Sequence, residues 1–133
     1  MTKREINQLG YDIIACAIQV HNALGPGLLE SVYEECLAHE LISSGFHIKR
    51  QVVVPITYKE VNLKTKLRID LLVNDCIVVE LKTVEAVNSI YRAQVLSYMK
   101  LLKCPKGILI NFFTEKITDS AIHLVNEYFE ELP

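Results

Sequence analysis

Apolar residues recur with a helical period at the start of the chain. From about Lys3 to Leu24 they fall at Ile6, Leu9, Ile13, Ala17, Val20 and Leu24, which predicts one helix with a single buried stripe. Gly10 weakens that helix slightly and marks an irregularity or a close contact. Gly25-Pro26-Gly27 ends it, because glycine and proline break helices and permit a sharp turn. A second helix is predicted from about Leu28 to Ser44, with Leu29, Val32, Tyr33, Cys36, Leu37 and Leu41 inward and Gly45 as its C-cap. The period then changes to two. His47 to Tyr58 reads as a strand, with Ile48, Arg50, Val52, Val54, Ile56 and Tyr58 on one side. Pro55 cannot donate to a ladder and predicts a bulge or an edge there.

Lys59 to Lys64 reads as a turn. Two further strands follow, Lys66 to Val73 and Cys76 to about Thr83, joined tightly at Asn74-Asp75, so the three strands make an antiparallel meander. In the first of these two, Leu67, Ile69, Leu71 and Val73 face one way and Arg68, Asp70 and Leu72 the other. Helical spacing returns from about Val87 to Lys103, where Val87, Ile90, Gln94, Tyr98 and Leu101 share a face and Gln94 is its polar exception. Lys106 to Phe113 has few polar residues and reads as a buried strand. A helix between two strands predicts a crossover, with this strand parallel to a neighbour. Glu115 to Val125 predicts one more edge strand, and the tail to Pro133 a short helix. The class is α/β, a mixed central sheet flanked by helices.

Composition narrows the picture. The 133 residues suit a single domain over residues 1–133, with the first helix as an N-terminal extra, and half are hydrophobic, which argues against disorder. A net charge of −2 excludes a broadly basic nucleic-acid coat but permits a local basic groove. Cys16, Cys36, Cys76 and Cys104 form no CxxC pair, so they read as reduced core residues rather than a zinc knuckle. The polar N-terminus lacks the apolar segment of a signal peptide, and no run approaches the ~20 residues of a membrane span. The expected location is the cytoplasm, with no membrane partner.

Against the apolar strands, Asp70, Glu80 and Lys82 stand out. Residues two apart on a strand share a face, so Glu80 and Lys82 lie side by side with Val78. Desolvating a lone charge is costly, so such groups are paired with each other or bound to a metal. Both readings stand on position alone. Glu30 falls in the first turn of the second helix, where the helix dipole alone favours an acid. Lys49, Arg50, Lys64, Lys66 and Arg68 are either a solvated face or a basic rim for phosphates. His21, His39, His47 and His123 have no ligand spacing and read as surface or boundary residues.

Several of these residues fall into motifs. Gly27-Leu28-Leu29-Glu30-Ser31-Val32-Tyr33 resembles the signature of the GxxExxY proteins, part of the PD-(D/E)XK nuclease superfamily. Asp70, followed by Glu80-Leu81-Lys82, resembles that superfamily's D…ExK core, and Gln94-Val95-Leu96-Ser97-Tyr98 the QxxxY motif of its RecB-like members. A D…ExK alone is a weak pattern; these motifs in this order, on the expected elements, are a strong one. The resemblance runs from about Ile14 to Phe113 and implies a restriction-endonuclease-like αβββαβ core. It implies that Asp70 and Glu80 ligate Mg²⁺ or Mn²⁺, with Glu30 binding directly or through water and the Leu81 backbone carbonyl as a further ligand. Lys82 would orient or help deprotonate the attacking water, Gln94 would position water, lysine or phosphate, and Tyr33 and Tyr98 would support the site. The implied activity is hydrolysis of phosphodiesters in nucleic acid, DNA before RNA. A non-catalytic nucleic-acid- or protein-binding module on the same fold is the alternative. Small nucleases of this fold often work as homodimers, and the apolar first helix suits either an interface or a cover for the sheet. The chain departs from the family pattern at Lys59-Glu60-Val61-Asn62, where relatives carry a glycine, at Phe112-Phe113 in place of Phe-Gly, and at Tyr91 in place of a histidine.

Overall fold

A computed structural model describes residues 1–133. Helix α1 spans Lys3–Leu24, the limits its apolar pattern sets. Thr2 caps it reciprocally: its hydroxyl accepts the Glu5 N–H at 3.1 Å, and the Glu5 carboxylate accepts the Thr2 N–H at 3.3 Å. Gly10 is a close contact, since a Cβ there would lie 2.8 Å from Lys106 Cε. Helix α2, Glu30–Ser43, begins two residues later than its pattern suggests, with Leu29 as an N-cap that makes no side-chain bond.

The predicted first strand is two strands. β1 is Ile48–Val53, and β2, Ile56–Tyr58, pairs only with β3, Val61–Leu63. The break falls at Val54-Pro55, where the buried Val54 donates its N–H to the Leu67 carbonyl at 2.9 Å and Pro55 has none to donate. The residues expected to form a turn at 59–64 are thus the tip and one strand of a separate hairpin. β4 is Arg68–Val73 and β5 Ile77–Lys82, with left-handed Asn74 and Asp75 between them. Helix α3, Ser89–Leu102, is capped by the Asn88 side chain and leads to β6, Lys106–Asn111. A four-residue helix α4, Ile117–Ser120, strand β7, Ile122–Val125, and a last turn α5, Glu127–Glu130, complete the chain.

The sheet order is β1-β4-β5-β6-β7. β5 and β6 are parallel, as a helical crossover requires, and the other pairs are antiparallel. This is the mixed α/β architecture of a restriction-endonuclease-like core. The larger apolar cluster lies between the sheet and α1 with α2; a smaller one lies under α3. α3 seats closely on the sheet at Gly107, where a Cβ would come within 2.6 Å of Met99 Sδ and Val95 Cγ1.

Two face assignments from simple alternation are corrected. Leu71 and Val73 enter the cluster under α1 and α2, whereas Ile69 packs with Leu72 and Val78 under α3. On β1, Ile48 borders the first cluster and Val52 the second. Both strands change face at the same level. Gln51 there has φ +50°, and it stands between the register pairs Arg50↔Leu71 and Val52↔Ile69. A period of two holds only for regular extended backbone. The stripe of α3 is also rotated from its expected setting. Val95 and Met99 are buried, flanked by half-buried Tyr91, Tyr98 and Leu102, while Ile90, Gln94 and Leu101 are exposed. His21 is buried rather than superficial, and its Nε2–H donates to the Thr114 carbonyl at 2.8 Å.

Candidate active site

The β4–β5 ladder is regular from its turn outward, pairing Val73 with Ile77, Leu72 with Val78 and Leu71 with Val79. It then opens. Where the next pair belongs, side chains take over from backbone. The Asp70 N–H donates to Glu80 Oε1 at 2.8 Å, and the Leu81 N–H donates to Asp70 Oδ2 at 2.8 Å. A carboxylate thus occupies the place of a ladder carbonyl on each strand. The backbone groups stay satisfied while two acids are held together in a half-buried gap.

That arrangement is electrostatically tense. Burial, followed by the Asp70 charge, pushes the Glu80 carboxyl up to about 8. Burial also raises Asp70, partly offset by its bond from the Leu81 N–H. Glu30 sits exposed at the first position of α2, yet desolvation raises its carboxyl too; the Lys82 charge opposes that rise and the Asp70 charge adds to it. Glu30, Asp70, Glu80 and Lys82 therefore share one electrostatic neighbourhood.

Each is placed by a specific device. Tyr33, fully buried and stacked on Phe112 at 4.4 Å, donates its hydroxyl to the Gly25 carbonyl and accepts the Leu28 N–H at 3.1 Å. It clamps the turn that delivers Glu30, a turn in which Gly27 has φ +106°. The Lys82 ammonium lies 4.5 Å from the centre of the Tyr91 ring, a cation–π contact. Tyr98 is half-buried, and its hydroxyl is raised by burial and then by the charges of Glu80 and Asp70, which places it beside the pair. Gln94 is exposed, and its side chain makes no hydrogen bond to another group of the protein.

Three contributors escaped the sequence reading. Glu34, one turn after Glu30, is buried and accepts Arg50 Nε and Nη2 at 3.1 and 2.9 Å. Gln51 donates to Glu34 and, at 3.3 Å, to Asp70 Oδ1, so it links the α2 ion pair to the site. Asn111, opposite Lys82 on β6, accepts the Val84 N–H at 3.1 Å and donates to the Val84 carbonyl at 2.8 Å. It pins the chain directly after Lys82. A lone amide at the end of an apolar strand was the available signal for Asn111. Glu34 gave none, because an acid on a helix usually faces water.

No three His, Cys, Asp or Glu side chains stand close enough together to hold one ion among them. Glu30 does not complete a cage with Asp70 and Glu80. The pair itself suits a hard divalent cation that keeps several waters, as Mg²⁺ does, since such ions use one or two carboxylates rather than an all-protein cage. The raised Glu80 carboxyl is the mark of two desolvated acids whose charge Lys82 offsets only in part.

A model of the PD-(D/E)XK nuclease superfamily matches residues 7–123. The chain belongs to this superfamily. No curated protein matches it, and no solved structure does. The PD-(D/E)XK match covers four strands of the main sheet in full, β1, β4, β5 and β6, and the start of β7, together with α2 and α3. The superfamily is one of nucleases, which hydrolyse phosphodiester bonds. No helix is long and apolar enough to cross a membrane.

Proposed function

We propose that this protein is a divalent-metal-dependent nuclease of the GxxExxY type that hydrolyses phosphodiester bonds, in DNA before RNA, at Asp70, Glu80 and Lys82. The observation that carries the reading is the opened β4–β5 ladder, in which two carboxylates replace backbone acceptors and Lys82 follows on the face of Glu80. A strand pair built for stability alone would continue its ladder there.

Asp70 and Glu80 would hold Mg²⁺ or Mn²⁺, with the Leu81 carbonyl beside them and Glu30 acting through water. Such an ion neutralises phosphodiester charge, lowers the pKa of a bound water and steadies the leaving oxygen. Lys82 orients the attacking water and offsets the charge that develops on the phosphate. Tyr91 restrains the lysine's swing, Gln94 offers a free amide to water or phosphate, and Tyr98 backs the acidic pair. Asn111 and Gln51 hold the strands and the carboxylate that these groups depend on.

The test is a cleavage assay with Mg²⁺ or Mn²⁺ comparing the native chain with Asp70→Ala, Glu80→Ala and Lys82→Ala. Loss of cleavage in the variants is expected; equal cleavage by all four overturns the reading. Tight metal-independent binding with no turnover on DNA or RNA would instead mark a non-catalytic module.

A further inference from the structure

The β2–β3 hairpin has no role in the chemistry above. Between Pro55 and Arg68 the chain carries Lys59, Lys64, Lys66 and Arg68 against one acid, Glu60, in a protein of net charge −2. None of the four is in an ion pair. The two salt bridges of the molecule join Lys49 to Asp75 and Arg50 to Glu34, so those two of the basic residues are already paired. Lys59 at the ribbon's tip, Lys64 and Lys66 on the connection that leaves it and Arg68 at the start of β4 give this end of the molecule a local positive potential.

Apolar side chains stand among them. Tyr58, Val61 and Leu63 are 62, 57 and 48% exposed, and neither strand of the hairpin joins the main sheet. A free two-stranded ribbon is marginal in water, so one with exposed apolar and basic groups is suited to a partner. Its root indicates which partner. Val53 enters the arm and Arg68 leaves it, the two being register partners in β1 and β4. Asp70 lies two residues beyond Arg68. The arm therefore springs from the end of the sheet that holds the carboxylate pair. Its two-residue tip, Lys59-Glu60, has φ +46° and +68°, where asparagine and glycine would rest with less strain. That tip presents the Lys59 ammonium 5.5 Å from the centre of the Tyr58 ring. A two-fold contact between the arms of two copies would set these cations against one another, which favours a polyanion over self-association.

We propose that the β2–β3 arm is a nucleic-acid clamp, in which Lys59, Lys64 and Lys66 engage backbone phosphates beside the cleavage site and Tyr58 packs against the sugar or base faces. The choice of nucleic acid as partner rests on the nuclease reading. Each phosphate contact releases bound counterions, so the clamp has a thermodynamic signature in salt.

The experiment is fluorescence anisotropy in EDTA, which prevents turnover, with a labelled DNA duplex and with single-stranded DNA and RNA of the same sequence, across a range of salt. The combined variant Lys59→Ala, Lys64→Ala, Lys66→Ala is expected to bind the preferred polymer at least about tenfold more weakly at low salt, with the log–log salt slope shallower by roughly 2–3. Replacing the same three residues with arginine restores both. Lys64→Glu alone gives a partial loss if the triple variant expresses poorly. Unchanged affinity and slope in a variant with native melting overturns the clamp. So does a variant that loses only self-association in ultracentrifugation while its salt slope stays native. Undiminished cleavage and binding without the arm's charges would sink the clamp and leave the nuclease reading standing. Arm-dependent binding without any metal-supported cleavage would do the reverse.

Discussion

The two ends of the β4–β5 hairpin use the same strands for opposite purposes. Near the turn, Val73, Ile77, Leu72 and Val78 pair in a regular ladder and are buried on both faces of the sheet. Two residues farther from the turn on each strand, at Asp70 and Glu80, the ladder parts and acidic side chains bridge the gap. The closed end gains stability from apolar burial. The open end gives up ladder bonds and gathers like charges, which Lys82 offsets in part and protonation of Glu80 relieves below about pH 8. On the proposed function, stability and chemistry are separated along one pair of strands, not between layers of the molecule.

The largest effect comes from breaking the open end. Asp70→Ala or Glu80→Ala should reduce metal-supported cleavage to background, measured on DNA with Mg²⁺ or Mn²⁺. Ile77→Ala at the closed end should cost about 2–5 kcal/mol in denaturant unfolding, because it empties a fully buried position. Below its melting temperature that variant should keep native turnover per folded molecule. A variant pair that failed to separate in this way would dissolve the contrast.

The next effect is a pH dependence confined to the open end. The Glu80 carboxyl rises from 4.5 to about 8 on folding without metal. The folded chain then binds more protons than the unfolded chain between those values, so stability falls as pH rises through that window. At pH 9 the loss should amount to a few kcal/mol. Glu80→Gln should flatten the melting-temperature profile over the same range. Mg²⁺ or Mn²⁺ should raise the melting temperature more at pH 8 than at pH 6. A profile that rises across this window would contradict the placement of Glu80.

Smaller changes sharpen the contrast. Tyr91→Ala should lower cleavage several-fold, corresponding to the ~0.5–1 kcal/mol of an exposed cation–π contact, whereas Tyr91→Phe keeps the ring and should stay near native. Equal loss in both would place the role in the hydroxyl instead. Gln51 allows the finest test. Gln51→Gly and Gln51→Ala both lose the bond to Asp70, but glycine is at ease at φ +50°. The glycine variant should be the more stable of the two by about 1 kcal/mol in equilibrium unfolding, because left-handed backbone costs a residue with a Cβ.

Much of this was legible in the sequence. The apolar stripe fixed both ends of α1, the Asn74-Asp75 turn marked the hairpin, and the crossover predicted the parallel β5–β6 pair. Those features depend on local periodicity and turn chemistry. The face change at Gln51 and Asp70 was hidden, because a left-handed glutamine carries none of the cues a glycine gives. The separate arm was hidden by an alternation that runs on through Pro55. Glu30, Asp70, Glu80 and Lys82 were named from motif order, and the structure brings them within each other's electrostatic reach. Their supports, Glu34, Gln51 and Asn111, depend on contacts between distant segments, which one strand's pattern cannot carry.

The parted ladder also bears on transplantation. Grafting Asp70, Glu80 and Lys82 onto another hairpin would fail, because an ordinary host would zip shut and swing the acids apart. A working graft must import the wedge as well: the rolled segment around Gln51, the α2 start that braces it, and the amide anchor from β6.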